Sequence, residues 1–185
     1  MTSENQATTN STYSDLEVPI SDTDHIEGSP SAAVTLTEYG DFGCRFCGEA
    51  DQVVKRLQAR FGVSLRFVFR HNPRGELHPN ARITAEASEA AALQGKFWEM
   101  HDILFAHPHA LAEADMSTYA KELGLDVQQF GADLHSPAIA KRVRDDEIGG
   151  IRSYIISTPT FFVNGARFHG TPSFEELAAT ISAAN

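Results

Sequence analysis

Residues 33–62 read AVTLTEYGDFGCRFCGEADQVVKRLQARFG, and this stretch decides the fold. In its first part Val34, Leu36 and Glu38 alternate with Thr35, Thr37 and Tyr39, a period of two rich in β-branched residues that predicts a strand. In its last part Ala50, Val53, Val54, Leu57 and Phe61 recur at helical spacing and stop at Gly62, which predicts a helix. The link Gly40-Asp41-Phe42-Gly43 then places Cys44 at the helix N-terminus. A second strand is expected over Ser64–Phe69, where Leu65, Phe67 and Phe69 alternate with Arg66 and Val68. Strand, helix, strand implies two parallel strands joined by a right-handed crossover.

Beyond this unit, His78–Gly150 contains no convincing strand and several helices. These are expected over about Pro79–Gln94, from Lys96 through FWEMHDILF, over about Asp115–Leu123, and from Ser136-Pro137, with a short turn after Asp126. Strand character returns at Thr160–Val163, and Asn164-Gly165 before Arg167 reads as a type I′ hairpin turn. Ser173 with Glu176 reads as a capping box opening a final helix with Leu177 and Ile181. The expected class is α/β, in the order β-α-β, helical insertion over about 78–150, then β-β-α.

The 185 residues fit one ordinary domain, expected over 18–185. Residues 1–17 are Ser/Thr-rich and acidic with little to bury, and a flexible tail is expected there. The net charge of -10 argues against nucleic acid or an anionic membrane as the main partner. The opening residues lack the positive start and apolar run of a secretory signal, and no run approaches about 18 apolar residues. A cytoplasmic location is the expectation, taking Met1 as the start.

The only two cysteines are Cys44 and Cys47. Two cysteines scattered at random fall at this separation in about 1% of cases, and in a reducing cytosol a close pair means metal binding or thiol redox work. A helix N-terminus favours a thiolate through its unpaired N–H groups and dipole, which suits Cys44 to attack. Cys47, one turn on, lies within disulfide reach and is screened from the helix end, which suits it to resolve a mixed disulfide. Arg45, if turned inward, would help lower the Cys44 pKa; solvated, it would not.

DFGCRFCGEA after a strand, Thr158-Pro159-Thr160 before a Phe-Phe-Val strand, and Asn164-Gly165 in the hairpin together resemble the thiol-disulfide oxidoreductases of the DsbA-like branch of the thioredoxin superfamily. The resemblance runs from about Pro19 to the C-terminus and implies a thioredoxin fold with a helical insertion. It implies that Cys44 is a surface nucleophile, Cys47 its buried partner, and Pro159 a cis-proline, the minority state of about 5% for such bonds in folded proteins. Thr158 would offer backbone groups to an extended substrate. The resemblance also places a buried acid at Glu38, to exchange a proton with Cys47. Between the cysteines many members have Pro and then His or Tyr; here stand Arg45 and Phe46. Phe46 cannot stabilise a thiolate as a protonated His would and suits substrate contact, so a less oxidising couple working as reductase or isomerase is expected. The implied partners are protein thiols and disulfides and a recycling thiol protein, with no cofactor beyond the Cys44–Cys47 disulfide.

Two other classes compete. A zinc protein would use the cysteines as ligands, but neither a second pair nor H-x(3 to 5)-H spacing accompanies them, and His101, His107 and His109 read as core or surface residues. Trp98, Phe97 and Leu104 read as packing of the insertion. A non-catalytic chaperone or adaptor would use the surface beside Pro159 and not need Cys44.

Overall fold

In the computed structural model, which describes residues 15–185, the stretch at 33–62 folds as its pattern requires. Strand β1 (His25–Gly28) is followed by β2 (Val34–Gly40), helix α1 (Arg45–Phe61), a 3-10 turn and β3 (Leu65–His71). The sheet order is β1-β3-β2, continued by β4 (Thr160–Val163) and β5 (Ala166–Arg167). β2 and β3 run parallel, and every other pair is antiparallel. Register puts Leu36 between Phe67 and Val163, and Glu38 between Phe69 and Phe161. One face therefore carries an apolar column whose last member is a carboxyl group. It is covered by Ala50, Val54 and Leu57 of α1 and by Leu177, Ala178 and Ile181 of the last helix, α7 (Phe174–Ala184).

The insertion comprises α2 (Ala81–Ala92), α3 (Phe97–Ala106), α4 (Glu113–Glu122), α5 (Val127–Leu134) and α6 (Pro137–Arg152). Its small residues Ala87, Ala90 and Ala91 let α2 sit against Met100, Leu104 and Phe130 in the same core. α6 reaches the opposite sheet face, where a Cβ on Gly149 would stand 2.9 Å from Tyr39 Oη. Asp126 and Ser136 cap α5 and α6 by accepting from Gln129 N–H and Ile139 N–H. The hairpin turn has φ 49° at Asn164 and 85° at Gly165, the positive pair that a type I′ turn needs.

Four details differ from expectation. β1 was not anticipated: its four residues HIEG are strand because β3 offers them a ladder. α5 stands where only a turn after Asp126 was expected, and Phe130 and Leu134 anchor it. Half of the capping box forms: Ser173 Oγ accepts from Glu176 N–H, but the Glu176 carboxylate takes Thr171 N–H instead. Of the expected tail, residues 1–14 lie outside the described residues, while 15–17 are tied down, with Leu16 N–H on Gly165 O at 2.8 Å and Glu17 N–H on Ser153 Oγ at 3.2 Å.

The N-terminal segment is also clasped by Arg70. Its Nε and Nη2 hold both oxygens of buried Asp24 at 2.6 and 2.9 Å, and Nη1 and Nη2 reach Val18 O at 2.8 Å and Pro19 O at 2.9 Å. Tyr39 Oη accepts from Nη1 at 3.0 Å. A buried guanidinium is tolerated because its donors find partners.

Candidate active site around Cys44 and Cys47

Cys44 is the N-cap of α1, with extended backbone at φ -85° and ψ 117°. Its carbonyl accepts Gly48 N–H at 3.2 Å, the first bond of the helix, and its own N–H goes back to Asp41 O at 3.0 Å. Cys44 keeps 7% of its surface, against 0% for Cys47, so the expected surface nucleophile is a thiol at the bottom of a narrow mouth. Its Sγ lies 3.4 Å from Thr158 O, and the Thr158–Pro159 bond is cis. Chain segments 114 residues apart thus meet at one sulfur.

Three protonatable groups share this pocket and their acidities are driven apart. Cys44 falls to about 5, chiefly because the Cys47 thiol donates to its sulfur; burial opposes this, and the Thr158 side chain and the N–H groups of Cys47 and Phe46 assist. Cys47 is pushed well above the ordinary thiol value by burial, by that same hydrogen bond, and by the charges of Glu38 and Cys44. Glu38, 2% exposed, is pushed well above the ordinary carboxylate range by burial, then by repulsion from Asp51 and Cys44. Its Oε1 has no hydrogen-bond partner. Of the three, Cys44 is the group whose ionisation the surroundings favour.

Arg45 does not take part in this. Its side chain is 84% exposed and its Nε bonds Glu49 Oε1 at 2.8 Å, so the inward-turned alternative is not adopted. Phe46, two residues on from Cys44, is 63% exposed. A hollow of about 480 Å³ at Cys44 is walled by Phe42, Cys44, Phe105, Pro108 and His109.

Sequence reasoning missed Phe105, Pro108 and His109 as neighbours of Cys44, because only tertiary packing joins α1 to the end of α3. It also missed Asp41, whose Oδ1 takes Gly43 N–H at 2.8 Å; an Asp two residues before a Gly is an available turn signal. Among the described residues two donor groups lie close enough to hold a metal, His25/His71/Glu89 and Asp51/His101/Asp102, and neither includes a cysteine. Each already faces a cation: Arg142 Nε is 3.6 Å from Glu89 Oε1, and Lys55 Nζ is 2.9 Å from Asp51 Oδ2. His101 is a buried aromatic-cluster residue, 4.9 Å from the Phe69 and Phe105 ring centres.

The sequence model of the family described as Thioredoxin matches residues 21–183. A thioredoxin-like oxidoreductase from Silicibacter pomeroyi superposes with a TM-score of 0.80 at 26% identity, covering 89% of this chain and 93% of that one. BdbD from Bacillus subtilis superposes with a TM-score of 0.81 at 22% identity, covering 92% and 97%. The thiol-disulfide exchange protein alpha-DsbA2 from Wolbachia pipientis reaches 0.78 at 17% identity, covering 88% and 88%. Among curated proteins, the Na(+)/H(+) antiporter NhaA 1 of Salinispora arenicola is 46% identical over 171 residues, which is 92% of this chain and 26% of that protein. This chain therefore spans about a quarter of the length of the curated relatives it matches. Among the described residues no helix is long and apolar enough to cross a membrane.

Proposed function

We propose that this chain, which belongs to the thioredoxin family and has the DsbA-like fold with its helical insertion, is a thiol-disulfide oxidoreductase for cysteines in polypeptides. The observation that carries the reading is the split acidity of the pair, Cys44 at about 5 beside a Cys47 pushed the other way. The Cys44 thiolate attacks a substrate disulfide R–S–S–R′, forms Cys44–S–S–R and releases R′–S⁻, which is protonated by solvent. With the charge on Cys44 gone, part of the repulsion on Glu38 is relieved; Glu38 gives its own proton to solvent and, as the carboxylate, takes the Cys47 proton. The Cys47 thiolate then attacks the Cys44 sulfur, R–S⁻ leaves and is protonated, and the substrate has gained two electrons while Cys44–Cys47 has become a disulfide. The Thr158 backbone beside Pro159 and the exposed Phe46 ring are suited to hold an extended substrate across the mouth.

Redox direction follows from how far the thiolate is stabilised. Cys44 at about 5 lies between attacking thiols near about 7 in couples of roughly -270 mV and near about 3.5 in couples of roughly -120 mV, which supports a couple intermediate between the two. Isomerase work with a recycling thiol partner fits such a couple best. The test equilibrates the protein in defined glutathione buffers and counts free thiols by alkylation mass shift. A clean two-electron transition in that range is expected, lost in Cys44→Ser; thiols that stay masked in every buffer overturn the oxidoreductase reading. A cytoplasmic location is part of the proposal. The similarity to sodium/proton antiporters favours a second setting, a redox unit working beside a membrane transporter; fractionation of cells separates the two.

A further inference from the structure

Asp41 precedes Cys44 by three residues, and its side chain is fully buried with every polar atom engaged. Its backbone N–H points at Cys47 Sγ, 3.4 Å away, and its carbonyl accepts Cys44 N–H at 3.0 Å. Oδ1 accepts Gly43 N–H at 2.8 Å. Oδ2 accepts Arg74 N–H and the His78 Nδ1 donor, each at 2.8 Å. One residue thus touches the backbone of one cysteine and the sulfur of the other, and fastens them to the segment that leads into the helical insertion. His78 is itself laid against the loop: a Cβ on Gly43 would stand 2.6 Å from His78 Cβ, so the approach needs glycine there.

We propose that Asp41, held by His78, is a positioning residue for the redox pair, fixing the Cys47 thiol where it donates to the Cys44 sulfur. The inference rests on the reading of Cys44 as the attacking thiol. It gives the Asp41 carboxylate an effect opposite to that of its charge. A buried anion near a thiolate disfavours the thiolate, so deleting the charge alone lowers the Cys44 midpoint. Deleting the anchor frees the loop, moves Cys47 off the Cys44 sulfur and raises the midpoint.

The test is ultraviolet thiolate absorbance against pH on reduced protein, in wild type, Asp41→Ala, His78→Leu and His78→Asn. The asparagine amide stands where Nδ1 stands and keeps a neutral donor for Asp41. Asp41→Ala and His78→Leu are expected to raise the Cys44 midpoint by about one pH unit, as the loss of a hydrogen bond to a charged group implies, with His78→Asn near wild type. A midpoint that falls or stays put in the first two overturns the inference, as does a rise in His78→Asn equal to that in His78→Leu, which makes His78 a charge and not an anchor. Should Asp41→Ala not fold, the His78 pair decides alone. A wild-type midpoint at the ordinary thiol value instead refutes the parent reading of Cys44.

Discussion

Replacing Glu38 by Gln isolates a carboxyl group that folding forces to keep its proton. Glu38 is enclosed by Phe69 and Phe161 across the strands, and burial, Asp51 and Cys44 all raise its native pKa above the ordinary 4.5. Because the native state holds the proton longer than the unfolded chain, stability is full below the unfolded pKa and declines as pH rises above it. The decline is about 1.4 kcal/mol for every pH unit over which native Glu38 stays protonated and the unfolded residue does not. Gln mimics the protonated acid at every pH, so the difference between Glu38→Gln and wild type is flat below about pH 4 and then climbs in the variant's favour at that slope. The amide adds a constant offset, which makes the slope the readout. Urea unfolding of reduced protein at half-unit steps from pH 4 to 8 measures it. In oxidised protein the Cys44 charge is absent, native Glu38 ionises sooner, and the climb ends at lower pH. Parallel stability curves for variant and wild type refute the reasoning, since Glu38 would then ionise alike in both states.

Cys47→Ala removes the largest support of the Cys44 thiolate, so the midpoint of Cys44 alkylation rises from about 5 by about one pH unit or more. Asp24→Asn breaks the buried bidentate pair with Arg70 and costs about 3–5 kcal/mol in urea unfolding at pH 7. Burial alone raises the Asp24 pKa, but Arg70 and Ser21 N–H bring it below 3.8, so the stability it contributes is lost as pH falls through the folded value, and the variant has a shallower acid limb. Gly149→Ala meets Tyr39 Oη and destabilises by about 1–3 kcal/mol, whereas Gly131→Ala in α5 meets nothing within 4 Å and stabilises by about 0.5–1 kcal/mol; thermal melts compare the two. Arg45→Ala leaves the Cys44 midpoint unchanged, because the guanidinium is engaged with Glu49.

What the sequence made legible was whatever repeats locally. Alternation through Val34, Leu36 and Glu38 gave the strand and the face that carries the acid, though β2 is buried on both faces, and the helical period from Ala50 put Cys44 at a helix start. Asn164-Gly165 announced a hairpin because both positions need positive φ. β1 was illegible because HIEG has no alternation long enough to read, and its partners lie 40 or so residues downstream. α5 hid behind its brevity and an internal Gly131. At the site, spacing pointed to Cys44 and Cys47 and the family resemblance to Glu38, but neither to their company: Asp41 meets His78 across 37 residues, and Phe105 reaches the mouth through the packing of α3. The direction of Arg45 was open in sequence because a long solvated side chain follows its nearest carboxylate, and Glu49 one turn along provides it.

The sheet order has a consequence for when the site comes into being. β2, at the centre, pairs with β3 across a crossover of ordinary length, but its other edge waits for β4, which arrives only after five helices. On a ribosome, residues 34–71 are exposed long before Phe161 and Val163 exist to close them, so an unpaired apolar edge persists through synthesis of the insertion. Glu38 has one of its two flanking strands until then, and Cys44 has no Thr158 to face. The full environment of both groups is therefore a property of the completed domain: a chain cut anywhere between α2 and α6 keeps both cysteines but lacks the Thr158 contribution and the second strand beside Glu38.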